Sequence, residues 1–351
     1  MSIIINLISF VLILGIIVLV HEFGHFIFAK MFGIYVYEFS IGMGPKLFGK
    51  KGKGGETEYC IRAIPIGGFV QLAGEEIDDD DKVPKDRKLY SKKVWQRFLV
   101  MFFGAGNNFI LAFLSLLLMA FIWGSPDMEP VINKVTDGYP MAEAGIKAGD
   151  EILAINKHKT STMDDVSLYL TLENKGGDIT FKIKDSEGEI KDVTVKPKKE
   201  EVDGNTVYRV GLEFESQPEK GFIRSIKYAF VKMGAMFKQM VVVLKNLFTG
   251  GIGLNNLAGP VGIYSIVGQT REAGFASILQ LIALLSINVG FINLLPFPAF
   301  DGGRILFLII EKIKGSPVKQ ETENLIHTVG FILLMLLMVY ITFNDIIRLF
   351  K

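Results

Sequence analysis

The composition of this 351-residue chain points to a membrane protein rather than to a nucleic-acid-binding one. Half of the residues are hydrophobic, and the mean hydropathy is positive. The 38 lysines and arginines nearly balance the 37 aspartates and glutamates, so the chain has no excess of positive charge for nucleic acid. The single cysteine, Cys60, excludes an internal disulfide bond and a cysteine-based metal centre. We therefore expect an integral membrane protein in which nitrogen and oxygen atoms hold any metal.

The first apolar run, residues 3–20, contains no charge and leads directly into the sequence HEFGH at positions 21–25. Residues four apart lie nearly on one face of a helix, so His21 and His25 can share a Zn²⁺ while Glu22 reaches its bound water. A short H-E-x-x-H match also occurs by chance in soluble helices. However, a charged side chain near the membrane interior costs about 2.5 to 3.5 kcal/mol on insertion scales unless a partner neutralises it. A metal is the simplest partner, and we expect zinc here.

Four segments are apolar enough to cross a bilayer, which takes about 20 residues. They are residues 3–32, 98–123, 278–295 and 325–343. The connection between the first two segments is rich in basic residues: Lys46, Lys50, Lys51, Lys53, Arg62 and a cluster from Lys82 to Arg97. The positive-inside rule makes that connection cytoplasmic. The termini and the long middle segment are then outside, and the H-E-x-x-H sequence lies toward the cytoplasmic half of the cell membrane.

Residues 35–40 and 59–70, between the first two spans, are predicted to be β-strands. The first is rich in aromatic and β-branched residues, and the second alternates before it reaches turn-forming proline and glycine. An exposed strand edge binds an extended peptide through main-chain hydrogen bonds with little regard for sequence. We expect such an edge in the second strand, around Ile64, Pro65, Gly67 and Gly68. The alternative is an ordinary cytoplasmic hairpin.

A soluble domain is predicted for residues 126–215. Residues 142–156, AEAGIKAGDEILAIN, resemble the signature of bacterial PDZ domains. Gly145 and Gly149 supply turn conformations, and Ile152 and Ile155 point into the core. Strands near residues 130–135, 179–184 and 192–195 and a helix at 163–172 complete one unit. Its predicted role is either capture of peptide segments or exclusion of substrates with bulky outer domains.

Two further segments, one after and one before this domain in the sequence, are also distinctive. Residues 222–248 are amphipathic and basic on their polar side, which favours a helix on the outer membrane surface, although a helix packed on the PDZ-like domain fits the same pattern. The acidic run at 75–81 is interpreted as a solvated loop, because it lacks the glycine placement of an EF-hand calcium site.

A third zinc ligand is expected elsewhere in the chain, because two histidines and a water leave one position of a tetrahedral site open. The best candidate is Asp301, which follows two prolines at the end of the third span. Pro296 and Pro298 cannot continue a helix, so the backbone should be unwound there, and such backbone is tolerated at membrane depth only where it is buried in protein or lines a cavity. The alternative role for Asp301 is the N-cap of a helix that begins near Arg304.

These features together resemble the site-2 proteases, the intramembrane zinc metalloproteases of peptidase family M50, and within them the bacterial regulator-of-sigma-E protease group. The matching elements are HEFGH at 21–25, PIGG at 65–68, the Asn108-Phe109 pair at the start of the second span, the PDZ-like segment, GPVG at 259–262 and N-x-x-P-x-P-x-x-D-G ending at Gly302. The resemblance implies a polytopic α-helical membrane protein with about four transmembrane helices, a membrane-associated β-hairpin and one inserted extracytoplasmic PDZ-like domain.

The resemblance also implies roles for single residues. His21, His25 and Asp301 would bind zinc, Glu22 would be the general acid and base, and Asn293 would contact the substrate backbone or the oxyanion. For Asn293, a helix-capping or interhelical hydrogen bond is the alternative. The segment GAGNN at 104–108 departs from the G-P-x-x-N pattern frequent in the family, which leaves the local helix geometry open. The implied substrates are single-span membrane proteins, such as anti-sigma factors or remnant signal peptides.

The predicted organisation has four parts: residues 1–125 with the first two spans, 126–215 with the PDZ-like domain, 216–275 as a membrane-surface linker and 276–351 with the last two spans. A rival function is a non-catalytic membrane scaffold with a structural metal site, but such a site needs no carboxylate like that of Glu22 beside a metal-bound water. A metal transporter would need more spans. The remaining histidines, His158 and His327, are interpreted as structural or surface residues.

Overall fold

The four predicted membrane spans are long helices in the computed structural model of the chain. The structure describes residues 2–75, 82–202, 205–214 and 216–349; the acidic run therefore lies outside the described residues except for Glu75. The described chain forms two compact units, residues 1–115 together with 253–351, and residues 116–252.

The first unit begins with helix α1, Ser2–Met31. Gly33 ends this helix in the left-handed region, with a φ of 68°, and the N–H of Ile34 donates to the carbonyl of Ala29 at 2.9 Å. Such a left-handed glycine after the last helical turn satisfies carbonyls that have no partner within the helix. The chain therefore turns sharply out of α1, two turns beyond the H-E-x-x-H sequence.

Two long antiparallel strands follow, β1 at Val36–Lys51 and β2 at Glu58–Leu72. Each strand bends, and the residue partners place four segments side by side in the order 46–51, 58–62, 36–41 and 68–72. Gly42 and Gly67 have φ of 85° and 83° near the bends. Both predicted strands are confirmed, and β1 is longer than predicted, because glycines in bulges allow a strand to bend without ending. Residues 68–72 form one edge of the sheet.

Helix α2, Val94–Trp123, begins after two short 3₁₀ turns at Lys85–Arg87 and Leu89–Ser91. It starts four residues before the predicted span. The Asn108-Phe109 pair consequently lies in the middle of the helix and not at its start, which corrects the sequence-based placement.

The second unit contains the strands of the domain predicted for residues 126–215, called the middle domain below. Its elements are β3 (Lys134–Val135), α3 (Pro140–Glu143), β4 (Glu151–Ile155), β5 (His158–Lys159), α4 (Met163–Glu173), β6 (Ile179–Lys184), β7 (Ile190–Val195), β8 (Lys198–Val202), β9 (Asn205–Arg209) and β10 (Leu212–Glu213). Four strands are ordered β5-β4-β6-β7, β3 pairs with β10, and β8 pairs with β9. Ile152, Ile155 and Phe181 are fully buried in its core. The predicted helix and the two later strands are confirmed, but the strand predicted at 130–135 is reduced to β3 and a single bridge from Val131 to Glu151.

Helix α5, Phe222–Phe248, belongs to the same unit and packs on the domain. Lys232 forms an ion pair with Asp164 at 2.7 Å, and Lys238 pairs with Asp165 at 2.9 Å, so two lysines of α5 meet the first turn of α4. The compact unit is therefore larger than the predicted domain of residues 126–215. Several large apolar side chains of α5 remain exposed, among them Phe222, Ile223, Phe230, Phe237 and Phe248.

The first unit resumes with a 3₁₀ turn at Leu254–Asn256 and helix α6, Pro260–Glu272. Helix α6 contacts α1 and two later helices, α7 at Phe275–Leu294 and α9 at Gln320–Leu349. The last part of the predicted surface linker of residues 216–275 therefore packs against three candidate membrane spans. The buried carboxylate of Asp345 in α9 accepts a hydrogen bond from the N–H of Gly262 at 2.8 Å. A side chain at Gly259 would also meet this carboxylate, with its Cβ 2.8 Å from Oδ2. The GPVG sequence thus allows a carboxylate to approach the first turn of α6.

Between α7 and α9 lies helix α8, Asp301–Lys314. Residues 295–300, which contain both prolines, connect α7 and α8 without regular structure, as predicted. Helix α8 ends at Gly315, which adopts the left-handed conformation with a φ of 78°.

Candidate active site

Three ligand atoms from two distant parts of the chain meet inside the first unit. The Nε2 atoms of His21 and His25 are 3.2 Å apart, and Asp301 Oδ2 lies 3.2 Å from the first and 3.3 Å from the second. Both histidines are buried. The three atoms therefore form a nearly equilateral triangle, as the sequence predicted for a shared metal.

The chemistry of this triangle fits a zinc ion. The Nδ1 atom of His25 lies 2.8 Å from the carbonyl oxygen of Val100, which can only accept, so Nδ1 carries the hydrogen and Nε2 presents a lone pair. Two such nitrogens and a carboxylate oxygen repel each other unless a cation lies among them. Ligands of a tetrahedral zinc with bonds of about 2.0 to 2.1 Å are about 3.3 to 3.4 Å apart, which matches the three distances.

Asn108 of α2 orients the other histidine. Its Nδ2 lies 3.4 Å from His21 Nδ1, while its Oδ1 is buried without a hydrogen-bond partner among the described residues. The two ends of an amide are nearly indistinguishable in size, so a half-turn of this group places Oδ1 where it accepts from Nδ1–H. With the hydrogen on Nδ1, the Nε2 atom of His21 also presents a lone pair to the metal.

Two glycines allow α1 and α2 to approach each other at this point. A Cβ at Gly24 would lie 1.9 Å from the carbonyl oxygen of Phe103, and a Cβ at Gly104 would lie 2.2 Å from His25 Nε2. Small residues permit such close helix crossings in membranes. The close crossing brings the Val100 carbonyl and the Asn108 amide within reach of the two histidines.

Glu22 lies beside the triangle and is held by the edge of the β-sheet. Its Oε2 accepts a hydrogen bond from the backbone N–H of Val70 at 3.1 Å. A Cβ at Gly68 would lie 3.9 Å from Glu22 Cγ and only 2.6 Å from the carbonyl of Ser40. Gly67 and Gly68 are buried, whereas Ile64 and Pro65 are exposed farther along β2. The predicted peptide-binding strand thus reaches the site at its glycine end.

A cavity of about 640 Å³ joins these groups. Its lining includes His21, Glu22, His25, Asn293, Asp301, Phe69 and Val70. Asn293 lies in the last turn of α7, so the structure brings all five polar residues predicted for the site together. Asp301 is the first residue of α8, and the N-cap position belongs to Phe300. The alternative role of Asp301 as an N-cap is therefore wrong.

Comparison with known proteins agrees with this geometry. The model of the family described as "Peptidase family M50" matches residues 9–337. The chain belongs to peptidase family M50. A protein of Clostridium perfringens named "Putative zinc metalloprotease" is 40% identical over 331 residues, with 94% of this chain and 95% of the relative covered. The "Regulator of sigma-W protease RasP" of Bacillus subtilis is 34% identical over 423 aligned positions, which cover 98% of this chain and 99% of the relative.

Sequence reasoning missed several residues of this M50 site. Asn108 was noted only as part of a motif, and His327 of α9 was interpreted as structural or surface although it lines the cavity. His158, in contrast, stacks on Tyr169 in the second unit. A histidine within an apolar span was the available signal for His327, because polar groups there face protein or water-filled interiors.

An ion pair between Arg304 and Glu75 was also missed. Both residues line the active-site cavity and a second cavity of about 450 Å³. Arg304 lies one turn after Asp301 on α8, and Glu75 follows the end of β2, so the pair links the helix that carries Asp301 to the strand that contacts Glu22.

Proposed function

We propose that this M50 member is an intramembrane site-2 protease in which His21, His25 and Asp301 hold the zinc ion and Glu22 transfers protons. It is a zinc metalloprotease that cleaves membrane-spanning segments of other proteins. The observation that carries the residue assignment is the triangle of three ligand atoms, 3.2 to 3.3 Å apart, with both histidines on a helix apolar enough to span a membrane.

The reaction requires an activated water and a polarised peptide carbonyl. When bound, Zn²⁺ lowers the pKa of a water and polarises the scissile carbonyl. Because Val70 N–H engages Oε2 of Glu22, the second oxygen, Oε1, is left to take the proton of the attacking water. Glu22 then passes this proton to the nitrogen of the leaving amine.

Asn293 is proposed to act on the substrate carbonyl. It lines the cavity from the C-terminal turn of α7, on a different element from the three ligand residues. Its side-chain amide can donate a hydrogen bond to the oxygen that gains negative charge, a type of contact worth about 2.7 to 4 kcal/mol where it has been measured.

An extended substrate is proposed to dock on the sheet edge at residues 68–72. Residues of an antiparallel edge strand alternate in the direction of their N–H and C=O groups. The N–H of Val70 points away from the paired strand residue Phe39, because it donates to Glu22. The backbone groups of Gly68, two residues earlier, therefore point to the same open side. The N–H and C=O groups of Gly68 are then suited to pair with a substrate strand near Glu22, and Ile64 and Pro65 lie farther along the same strand.

The membrane topology follows from the charges. We propose that the lysine- and arginine-rich connection between α1 and α2 is cytoplasmic, that the termini and the middle domain are extracytoplasmic, and that the zinc site lies toward the cytoplasmic side of the cell membrane. The relative RasP is named a regulator of sigma-W, which supports membrane-bound anti-sigma factors as substrates, with remnant signal peptides as a second group.

The middle domain is proposed to be PDZ-like. A groove of about 420 Å³ lies between α4 and residues 209–214, with Val166, Leu170 and Arg209 in its lining. A peptide segment fits such a groove between a helix and a strand. The exposed apolar side chains of α5 favour a position at the membrane surface, with its lysines meeting α4.

One assay tests the function and its rival, the non-catalytic scaffold. Purified protein in detergent is incubated with a single-span model peptide, with and without a zinc chelator, beside the Glu22→Gln variant. We expect cleavage only by the metal-loaded wild-type protein. Cleavage that persists under chelation would contradict the zinc protease, and zinc binding without any cleavage would favour the scaffold.

A further inference from the structure

Helix α9 contacts the segment that carries Asp301. The backbone N–H of Ala299 donates a hydrogen bond to His327 Nδ1 at 3.1 Å. One turn along α9, a Cβ at Gly330 would lie 2.4 Å from Pro298 Cβ and 2.6 Å from the Pro298 carbonyl oxygen. His327 and Gly330, three residues apart, therefore present one face of α9 to residues 298–299.

The backbone conformation of this segment needs outside support. Ala299 has a φ of 85°, in the left-handed region that residues with a side chain rarely adopt. A strained residue of this kind persists only where its surroundings hold it. The hydrogen bond from this residue to His327 is the contact that opposes a return to an ordinary conformation.

The opposite side of the segment is equally close to its neighbours. A Cβ at Gly302 would lie 2.2 Å from the Leu295 carbonyl oxygen, and a Cβ at Gly303 would lie 2.6 Å from that of Phe297. Residues 295–300 are thus confined between the first turn of α8 and the face of α9. A shift of the segment would move Asp301, because the ligand is the next residue.

We propose that His327 and Gly330 clamp residues 298–299 and thereby set the position of Asp301 relative to His21 and His25. His327 is a positioning residue in this assignment, which rests on the proposed zinc site. Its Nδ1 accepts from Ala299, so the neutral ring carries its hydrogen on Nε2, and that atom is buried without a partner among the described residues. The clamp therefore depends on His327 Nδ1 as a hydrogen-bond acceptor.

The experiment compares two substitutions of His327 in the full-length protein. His327→Asn keeps an acceptor near the position of Nδ1, whereas His327→Leu removes it. Zinc affinity is measured by competition with a chromophoric chelator, the Co²⁺-loaded forms are compared by visible absorption, and cleavage of a single-span peptide gives kcat and KM. Leu333→Ala serves as a control, since that side chain is on α9 and 54% exposed.

We expect His327→Leu and Gly330→Ala to weaken zinc binding by about 10- to 100-fold, the range seen when groups that orient ligands are removed. Their Co²⁺ spectra should change and kcat should fall with little change in KM, while His327→Asn and Leu333→Ala stay close to wild type. The melting temperatures of metal-free His327→Leu and His327→Asn should be alike, whereas that of Gly330→Ala should be lower because the new Cβ would meet Pro298.

Wild-type zinc affinity and kcat in His327→Leu would overturn the clamp. Equal losses in His327→Asn and His327→Leu, accompanied by equally lowered melting temperatures of the metal-free proteins, would also overturn it, because the role of the ring would then be general packing. If the wild-type protein itself neither binds zinc nor cleaves the peptide, the proposed function fails, and the clamp fails with it.

Discussion

The backbone N–H of Val70 donates a hydrogen bond to Oε2 of Glu22 at 3.1 Å. This bond connects the edge of the β-sheet to α1, the helix that carries both histidines proposed as zinc ligands. An extended substrate added to that edge would lie beside the carboxylate that is assigned to proton transfer. The strand edge proposed to bind the substrate and the carboxylate proposed to transfer protons are therefore neighbours.

The first prediction concerns this carboxylate. Glu22→Gln keeps the size of the side chain and an oxygen for the Val70 N–H, so the protein should fold and bind zinc as wild type does. Cleavage of a single-span peptide should fall by at least about 100-fold, the lower end of what a general acid-base group contributes. Zinc content and cleavage are measured on the same sample, and turnover at the wild-type rate would refute the role of Glu22.

The second prediction concerns the crossing of α1 and α2. A Cβ at Gly104 would lie 2.2 Å from His25 Nε2, so Gly104→Ala should displace the imidazole and weaken zinc binding by about tenfold or more. Gly106→Ala is the matched control, because its nearest neighbour is a phenylalanine ring atom at 3.2 Å. Equal zinc affinity in the two variants, measured by chelator competition, would be inconsistent with the close approach.

The third prediction tests the orientation of Asn108. If Oδ1 accepts from His21 Nδ1–H, Asn108→Asp should retain zinc binding, whereas Asn108→Leu should weaken it by about 10- to 100-fold. Loss in the aspartate variant as large as in the leucine variant would mean that the amide N–H faces the ring instead. Chelator competition distinguishes these outcomes.

The fourth prediction is a pH dependence at the turn of the hairpin. Burial by itself raises the pKa of Glu56, but hydrogen bonds from Lys30 and Arg87 outweigh it and hold the pKa below the ordinary value of 4.5. A lowered folded-state pKa contributes stability above the unfolded value, and this stability is lost as the pH falls through the folded value. Glu56→Gln should therefore lower the melting temperature at neutral pH.

The difference between this variant and wild type should shrink below about pH 4, where the unfolded carboxyl is already protonated. The substitution Glu187→Gln, in an exposed turn, should leave the melting temperature unchanged at both pH values. A constant difference between Glu56→Gln and wild type across the pH range would contradict the ion-pair origin of the effect.

Local sequence patterns predicted much of the fold. Hydrophobic runs located the four spans, and all four are helices, with α2 starting four residues before the predicted boundary. The alternation of residues located β2. The continuation of β1 to Lys51 was missed, because glycines such as Gly42 and Gly44 are typical both of turns, which end a strand, and of bulges, which do not. Helix α6 was missed within a predicted linker, since its contacts with α1, α7 and α9 come from distant parts of the chain.

The sequence by itself determined which residues are proposed as the zinc ligands and the acid-base group of this protein. Helical spacing fixes His21, Glu22 and His25 relative to one another, and two prolines end α7 just before Asp301, so both halves of the site follow from local rules. Only the tertiary structure decided which groups hold those residues in place. Val70 reaches Glu22 from 48 positions away, and Asn108 reaches His21 from 87 positions away. Such contacts depend on how helices and strands pack, and no periodicity along the chain encodes them.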